Sequence, residues 1–472
     1  MKIITKFLLI IIIAILTILL VTGYSLNKKS SASKKNEISN FAIQLKIRNN
    51  QLAKIQKNLL EENLDINDLI NNDEISFKKV QDNLKLIDFN GYNFSKTKIN
   101  TELFSGYYLT KYSSNDILFN GNIGSVGTAY LDFYDNNKKI FLATYDGVFA
   151  STYINNIESF KKIRSNIKSL IKYDNFYLHD QYGIKDILAI DNKIYVSYIN
   201  EEKKDCFNLS IIYAIIEEEI LNFENFYKTS GCVAKDNSHG FWAAQGAGGR
   251  IEKFDDENII FTTGGFRNRP LAQNINSDYG KILKINLKSK KSDIISLGHR
   301  NPQGLYYSKN FDFIISTEHG PKGGDEINLN HKPLAKIKNF GWPISSYGEH
   351  YAKHYSKKIL DDAPLKKSHK KYGFEEPIKY FDPSIGISQI VSLSDDDDEF
   401  LIGSMGNEIK DQDLGLHYIK LDKSRTKITK HNFIALNERV RDIIISNDKN
   451  IIIFFLETTS SIAILEKKIE KN

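Results

Sequence analysis

From about residue 100 onward the chain alternates apolar and polar positions in short runs separated by turns. One unit recurs: a glycine or basic residue, an alternating apolar stretch, a polar turn, then a continuous apolar run. It stands at GTAYLDFYDNNKKIFLATYDG from Gly127, YGIKDILAIDNKIYVSYI from Tyr182 and AGGRIEKFDDENIIFTTGG from Ala247. It returns at NPQGLYYSKNFDFIISTEH from Asn301, GISQIVSLSDDDDEFLIGS from Gly386 and RVRDIIISNDKNIIIFFLE from Arg439. Period-two alternation closed by a polar turn predicts a β-hairpin. Six copies at spacings of roughly 50–85 residues predict blades, because one hairpin cannot bury its own apolar face. Closing the units into a ring removes exposed sheet edges. The pattern therefore predicts an all-β, six-bladed β-propeller. Second hairpins fall between the units, as in YGKILKINLKSKKSDIIS and LGLHYIKLDKSRTKITKHNF. The longest insertion, about residues 330–385, lies between the fourth and fifth units.

The pattern before residue 100 differs. Met1 to Thr22 carries Lys2 and Lys6 and then FLLIIIIAILTILLV. That is the length of a signal core or a short membrane span. Without an A-x-A cleavage site the expectation is an uncleaved anchor over residues 1–25. Lys28, Lys29, Lys34 and Lys35 follow it, against the positive-inside expectation for an exported C-terminal domain. Leu45, Leu52, Leu59 and Ile66 are spaced seven apart, which predicts a helical stalk within residues 26–100 or a helix that binds a partner. The propeller is expected over 101–472.

Composition narrows the class. The chain has 472 residues, 41% hydrophobic and 12% aromatic, enough for a large core. The net charge of +6 is spread among mixed lysines and acids, with no basic stripe interleaved with aromatics, so nucleic-acid binding is not expected. The two cysteines, Cys206 and Cys232, bracket an apolar run. They are either a disulfide between neighbouring strands, formed in an oxidising compartment, or two separate buried thiols.

The candidate chemistry concentrates between Gly298 and Tyr351, in GHRNPQGLYYSKNFDFIISTEHGPKGGDEINLN and NFGWPISSYGEHY. Glycine and proline at this density predict loops, and loops on a rigid scaffold carry sites. Asp325 and Glu326 are adjacent carboxylates beside Gly320-Pro321 and Gly323-Gly324; as a lone pair of acids they would only cap turns. The starts of the apolar runs are expected to face the central channel. They bring in Gln181, the stretch from His239 to Arg250, Arg300 with Asn301, Ser384 to Ser388, and Arg439 with Arg441. Arginines gathered on one axis repel unless they meet an anion, and a guanidinium grips a carboxylate in a bidentate fork. The plainer alternative pairs Arg439 and Arg441 with nearby acids such as Glu438 and Asp442.

RNPQGL, EHGPKGGDEIN, FGWP and SYGEHY resemble the glucose/sorbosone dehydrogenase family, with a weaker likeness over roughly residues 120–465. The resemblance implies a six-bladed propeller that binds pyrroloquinoline quinone (PQQ) and calcium and oxidises a sugar or polyol. It implies that Arg300, Asn301 and His319 contact the quinone and that Arg439 and Arg441 hold its carboxylates. Gly320, Pro321, Asp325 and Glu326 would form the calcium loop. In the family mechanism a base takes the hydroxyl proton while hydride moves to the quinone.

The chain departs from the family pattern at three points. The family's basic histidine falls on Gly246, in Gly246-Ala247-Gly248-Gly249-Arg250-Ile251. The family's G-D after the third run is Gly264-Gly265. A cofactor-holding lysine falls on Gly406, in Gly403-Ser404-Met405-Gly406-Asn407. His239, seven residues before Gly246, is the candidate replacement base; a lone histidine is more often structural. The expected function is a membrane-anchored quinoprotein aldose dehydrogenase-like oxidoreductase. Its rivals are a calcium-stabilised binding propeller without redox chemistry and an enzyme of other chemistry on the same channel.

Overall fold

The apolar runs form six antiparallel sheets arranged as blades. The computed structural model describes residues 91–104, 106–113, 128–178, 180–239, 244–351 and 355–467. The innermost strands are Ala129–Tyr134, Ile184–Ile190, Gly248–Lys253, Pro302–Ser308, Ile387–Ser392 and Val440–Ile445. Each touches the next, and the sixth touches the first, so the ring closes. All six recurring units fall on the two innermost strands of a blade.

The second strands explain the continuous apolar runs. Lys139–Thr144, Asn258–Thr263, Phe313–Glu318, Glu399–Ser404 and Ile451–Leu456 are buried on both faces except at their first residue or nowhere exposed at all. They lie mid-sheet with a neighbouring blade on either side, so alternation disappears from their sequence. Each buried Ile or Phe there contributes roughly 1.5–3 kcal/mol.

The last blade is built from both ends of the described chain. Val440–Ile445, Ile451–Leu456 and Ser461–Lys467 supply its inner strands, and Tyr107–Ser113 and Ser95–Phe104 complete it outside. Gly91–Asn93 pairs with Ser159–Ser165 on the first blade. The propeller thus already includes strands within residues 91–100, ahead of the boundary expected at 101. Residues 91–100 are strand rather than stalk, because their backbone groups pair with outer strands of two blades. The anchor over 1–25 and the remainder of the stalk lie outside the described residues. Among the described residues no helix is long and apolar enough to cross a membrane.

Cys206 and Cys232 form a disulfide, with Cα atoms 5.4 Å apart. It joins the strand Cys206–Ile215 to the residue just ahead of its partner strand Val233–Ala234.

The stretch expected to be loop is largely strand. Pro302–Ser308 lines the axis, and Asp325–His331 is the third strand of the fourth blade. The glycines and prolines serve the tight turns between those strands. The long insertion returns to the third blade, where Lys338–Asn339 pairs in parallel with Ser292–Leu297.

Candidate active site

Below the site the channel is plugged by Arg250, only 3% exposed. Its Nη1 meets Asp186 at 2.9 Å and Asp442 at 2.6 Å, Nε donates to Gln303 O at 2.7 Å, and Nη2 donates to Arg441 O at 3.0 Å. Asp442 also accepts from Leu131 N, so this cluster reaches five of the six innermost strands. A buried guanidinium is tolerated when its nitrogens find acceptors, and here each of the three does.

Above this plug lies a cavity of about 250 Å³. Five arginines (267, 269, 300, 439 and 441) and Lys185 line it, and among the described residues no Asp or Glu does. Gln181, Arg300, Asn301, His319, Pro321, Arg439 and Arg441 are brought together here, as expected from the sequence.

Arg300 and Asn301 are positioned by a wholly buried relay. Ser296 Oγ lies 2.8 Å from His299 Nε2, His299 Nδ1 lies 2.8 Å from Glu318, and Glu318 accepts Arg300 N at 2.8 Å. The relay resembles a nucleophilic triad in composition, but all three side chains are sealed from the cavity and hold the turn instead. Arg300 Nη1 donates to His319 O at 2.7 Å, and its guanidinium lies 5.4 Å from the Trp342 ring. Asn301 Oδ1 accepts from Gly248 N at 3.0 Å and Gln303 Nε2 at 2.9 Å. His319 keeps Nε2 buried with no hydrogen-bond partner among the described residues. Burial lowers its pKa; Asp325 opposes that, and Arg300 and Arg441 reinforce it.

Arg439 and Arg441 converge on one acid, Glu457, which is fully buried. Burial would raise the Glu457 pKa, but the two guanidiniums override it and hold it down. The local acids weighed from the sequence serve elsewhere: Glu438 pairs with Lys111 and Asp442 with Arg250. Both arginines that share this carboxylate also line the cavity.

The predicted calcium loop divides. Pro321 lines the cavity, while Asp325 and Glu326 are buried behind it. Asp325 accepts Gly320 N at 2.9 Å through one oxygen and Ile387 N at 3.0 Å through the other, tying the fourth blade to the fifth. Glu326 lies 3.2 Å from His369 Nε2. Burial raises the Glu326 pKa; burial would lower that of His369, but the Glu326 carboxylate raises it. Among the described residues no cluster of three or more His, Cys, Asp or Glu side chains could hold a metal ion.

His239, the candidate base, is not among the lining residues. Its Nδ1 lies 2.5 Å from Asp362, which also meets Lys358, and its carbonyl accepts from Arg269. Two histidines do line the cavity, His319 and His350. His350 Nε2 lies 3.0 Å from Ala363 O; a carbonyl only accepts, so that nitrogen carries the proton and Nδ1 keeps its lone pair. Burial lowers its pKa; the Ala363 contact opposes that and Arg269 adds to it.

Lys185, Arg267, Arg269 and His350 were not singled out in the sequence. His350 sat inside the SYGEHY motif, which was the one available signal.

A six-bladed ring with a cationic pocket on its axis has the electrostatic character of a small-molecule site that favours an anion. Residues 152–464 match the glucose/sorbosone dehydrogenase family, and the chain belongs to it. An aldose sugar dehydrogenase of Escherichia coli is 25% identical over 293 residues, covering 57% of this chain and 72% of that protein. Quinoprotein glucose dehydrogenase B of Acinetobacter calcoaceticus is 36% identical over 100 residues, 18% of this chain and 20% of that protein. An uncharacterized Synechocystis protein is 28% identical over 221 residues, 42% of this chain, and the match spans half of its length. The solved apo form of the E. coli enzyme superposes with a TM-score of 0.57 at 18% identity, covering 72% of this chain and 96% of that one. The PQQ-bound aldose sugar dehydrogenase of Streptomyces coelicolor gives 0.52 at 16% identity, covering 73% and 95%. These two likenesses establish the propeller.

Proposed function

We propose that this chain is a PQQ-dependent aldose dehydrogenase-like oxidoreductase whose proton acceptor has moved from the Gly246 position to His350. The observation that carries the reading is a cavity whose described lining holds no Asp or Glu and brings Arg300, Arg439 and Arg441 together with His319, whose buried Nε2 has no hydrogen-bond partner among the described residues. A planar tricarboxylate fits this set: Arg439, Arg441 and Arg300 would hold its carboxylates, and Asn301, Gln181 and His319 its ring oxygens and nitrogens. When bound, the quinone supplies the hydride acceptor. The protein's part is to exclude water, orient the sugar and take the hydroxyl proton. His350 suits that last step, since its Nδ1 is unprotonated above its lowered pKa.

Calcium fits less well. Gly320 and Pro321 offer carbonyl oxygens, but both Asp325 oxygens already accept backbone N–H groups and Glu326 faces His369. These four residues do not make a self-contained shell of six to eight oxygens, so no step is assigned to the ion.

The test is dye reduction by PQQ-reconstituted protein with a panel of aldoses. His350→Ala should lower kcat by roughly two to four decades, and His239→Ala should leave it within about a factor of three. The acid limb of kcat/KM should lie below the ordinary histidine value of about 6.5, with rate rising as pH rises through it. A rate that survives His350→Ala and falls with His239→Ala would return the role to His239.

A further inference from the structure

A tricarboxylate held at Arg439 and Arg441 does not account for the charge on the other side of the cavity. Arg267 and Arg269 reach it from the turn after the second strand of the third blade, beside His350, Tyr351 and Tyr355. Tyr351 is 59% exposed and marks the outer rim, whereas Arg269 is 9% exposed. Arg269 Nη1 meets His239 O at 3.3 Å, and its guanidinium lies 5.5 Å from the Tyr355 ring. Neither contact is a carboxylate. Burial lowers the pKa of both arginines, and the charge on Arg300 lowers them further.

The turn that presents them is well braced. Phe266 and Arg267 both take positive φ, 46° and 66°, which side-chain-bearing residues adopt rarely and at a cost. Phe266 is fully buried against Tyr279, and its N–H donates to Gly246 O at 3.0 Å. Beneath the turn, buried Lys281 Nζ donates to the carbonyls of Leu271, Ala272 and Tyr279. A fixed turn that gathers like charges around a pocket suits an incoming anion, because the anion relieves the repulsion at no further ordering cost.

We propose that Arg267 and Arg269 form an anion subsite at the rim, and that the sugar this cavity takes carries a carboxylate or a phosphate. That this sugar is oxidised rests on the quinoprotein reading; the subsite does not.

Calorimetric titration of the full chain, with and without PQQ, should compare glucose, glucuronate and glucose 6-phosphate at low salt. One of the two anionic sugars should bind at least about tenfold more tightly than glucose, the worth of a charge-assisted contact, and the tighter one identifies the anion. The preference should vanish in Arg269→Gln and partly persist in Arg269→Lys. Equal affinity of the wild-type protein for all three sugars would overturn the subsite without any variant needing to fold. So would a preference that survives Arg267→Gln combined with Arg269→Gln. PQQ binding without anion preference would sink the subsite alone; anion preference without PQQ binding would support it and sink the quinoprotein reading.

Discussion

Gly246 and Gly406 both stand where the family carries a functional side chain, and the structure treats them in opposite ways. A Cβ on Gly246 would meet nothing closer than 3.8 Å, and one on Gly265, where the family has aspartate, nothing closer than 3.5 Å. Both glycines line the cavity. A Cβ on Gly406 would fall 1.9 Å from Asp413 Oδ2. Asp413 is committed there, accepting Asn407 N at 3.0 Å and Glu408 N at 2.8 Å, while Gly406 N donates to Asp413 O at 2.7 Å. The same turn supplies the Met405 and Gly406 carbonyls that receive Arg439 Nη1. So the base position is vacant, whereas the lysine position has been rebuilt into a turn that anchors a neighbouring arginine. Two departures that look alike in sequence have different physical meanings: the first leaves room for a side chain, and the second does not.

The comparison can be sharpened first at the vacant end, where the largest effect is expected. In the His350→Ala background, Gly246→His with Gly265→Asp should restore dye reduction by roughly two to four decades, since a positioned general base contributes about that much. A fully folded variant with no recovery would mean that the cavity no longer presents a sugar to that position.

The filled end should respond with stability instead. Gly406→Lys must displace Asp413 and break its turn, which should cost about 1–3 kcal/mol, read as a lower midpoint in denaturant. Gly246→Ala, with room for its methyl group, should change the midpoint by no more than about 0.5 kcal/mol. Equal destabilisation by the two would erase the distinction.

The sequence disclosed the fold unevenly, for reasons that lie in the range of the interactions. Each inner hairpin pairs a locally alternating strand with a continuous apolar run such as KIFLAT or NIIFTT, so all six blades were legible. The completion of the last blade was not, because Tyr107–Ser113, which carries Ser95–Phe104 outside it, pairs with Ser461–Lys467 at the other end of the chain. At the site, the RNPQG and R-x-R arginines were legible as motif. Glu457 was not, because it reaches Arg439 and Arg441 from the next strand of the sheet. Asp325 and Glu326 read as loop ligands because glycines surround them, yet strand pairing buries both. Arg267 and Arg269 gave no signal, since only the fold carries the FRNRP turn to the axis.

The most direct test of the account is calorimetric titration of wild-type protein with PQQ, alongside Arg439→Gln. A cavity whose described lining holds no Asp or Glu, with three arginines on the quinone side, predicts saturable binding of one PQQ per chain. It also predicts weakening by about one to two decades in Arg439→Gln, the loss of one charge-assisted contact. No binding at high micromolar PQQ, or binding unchanged by the substitution, would contradict it.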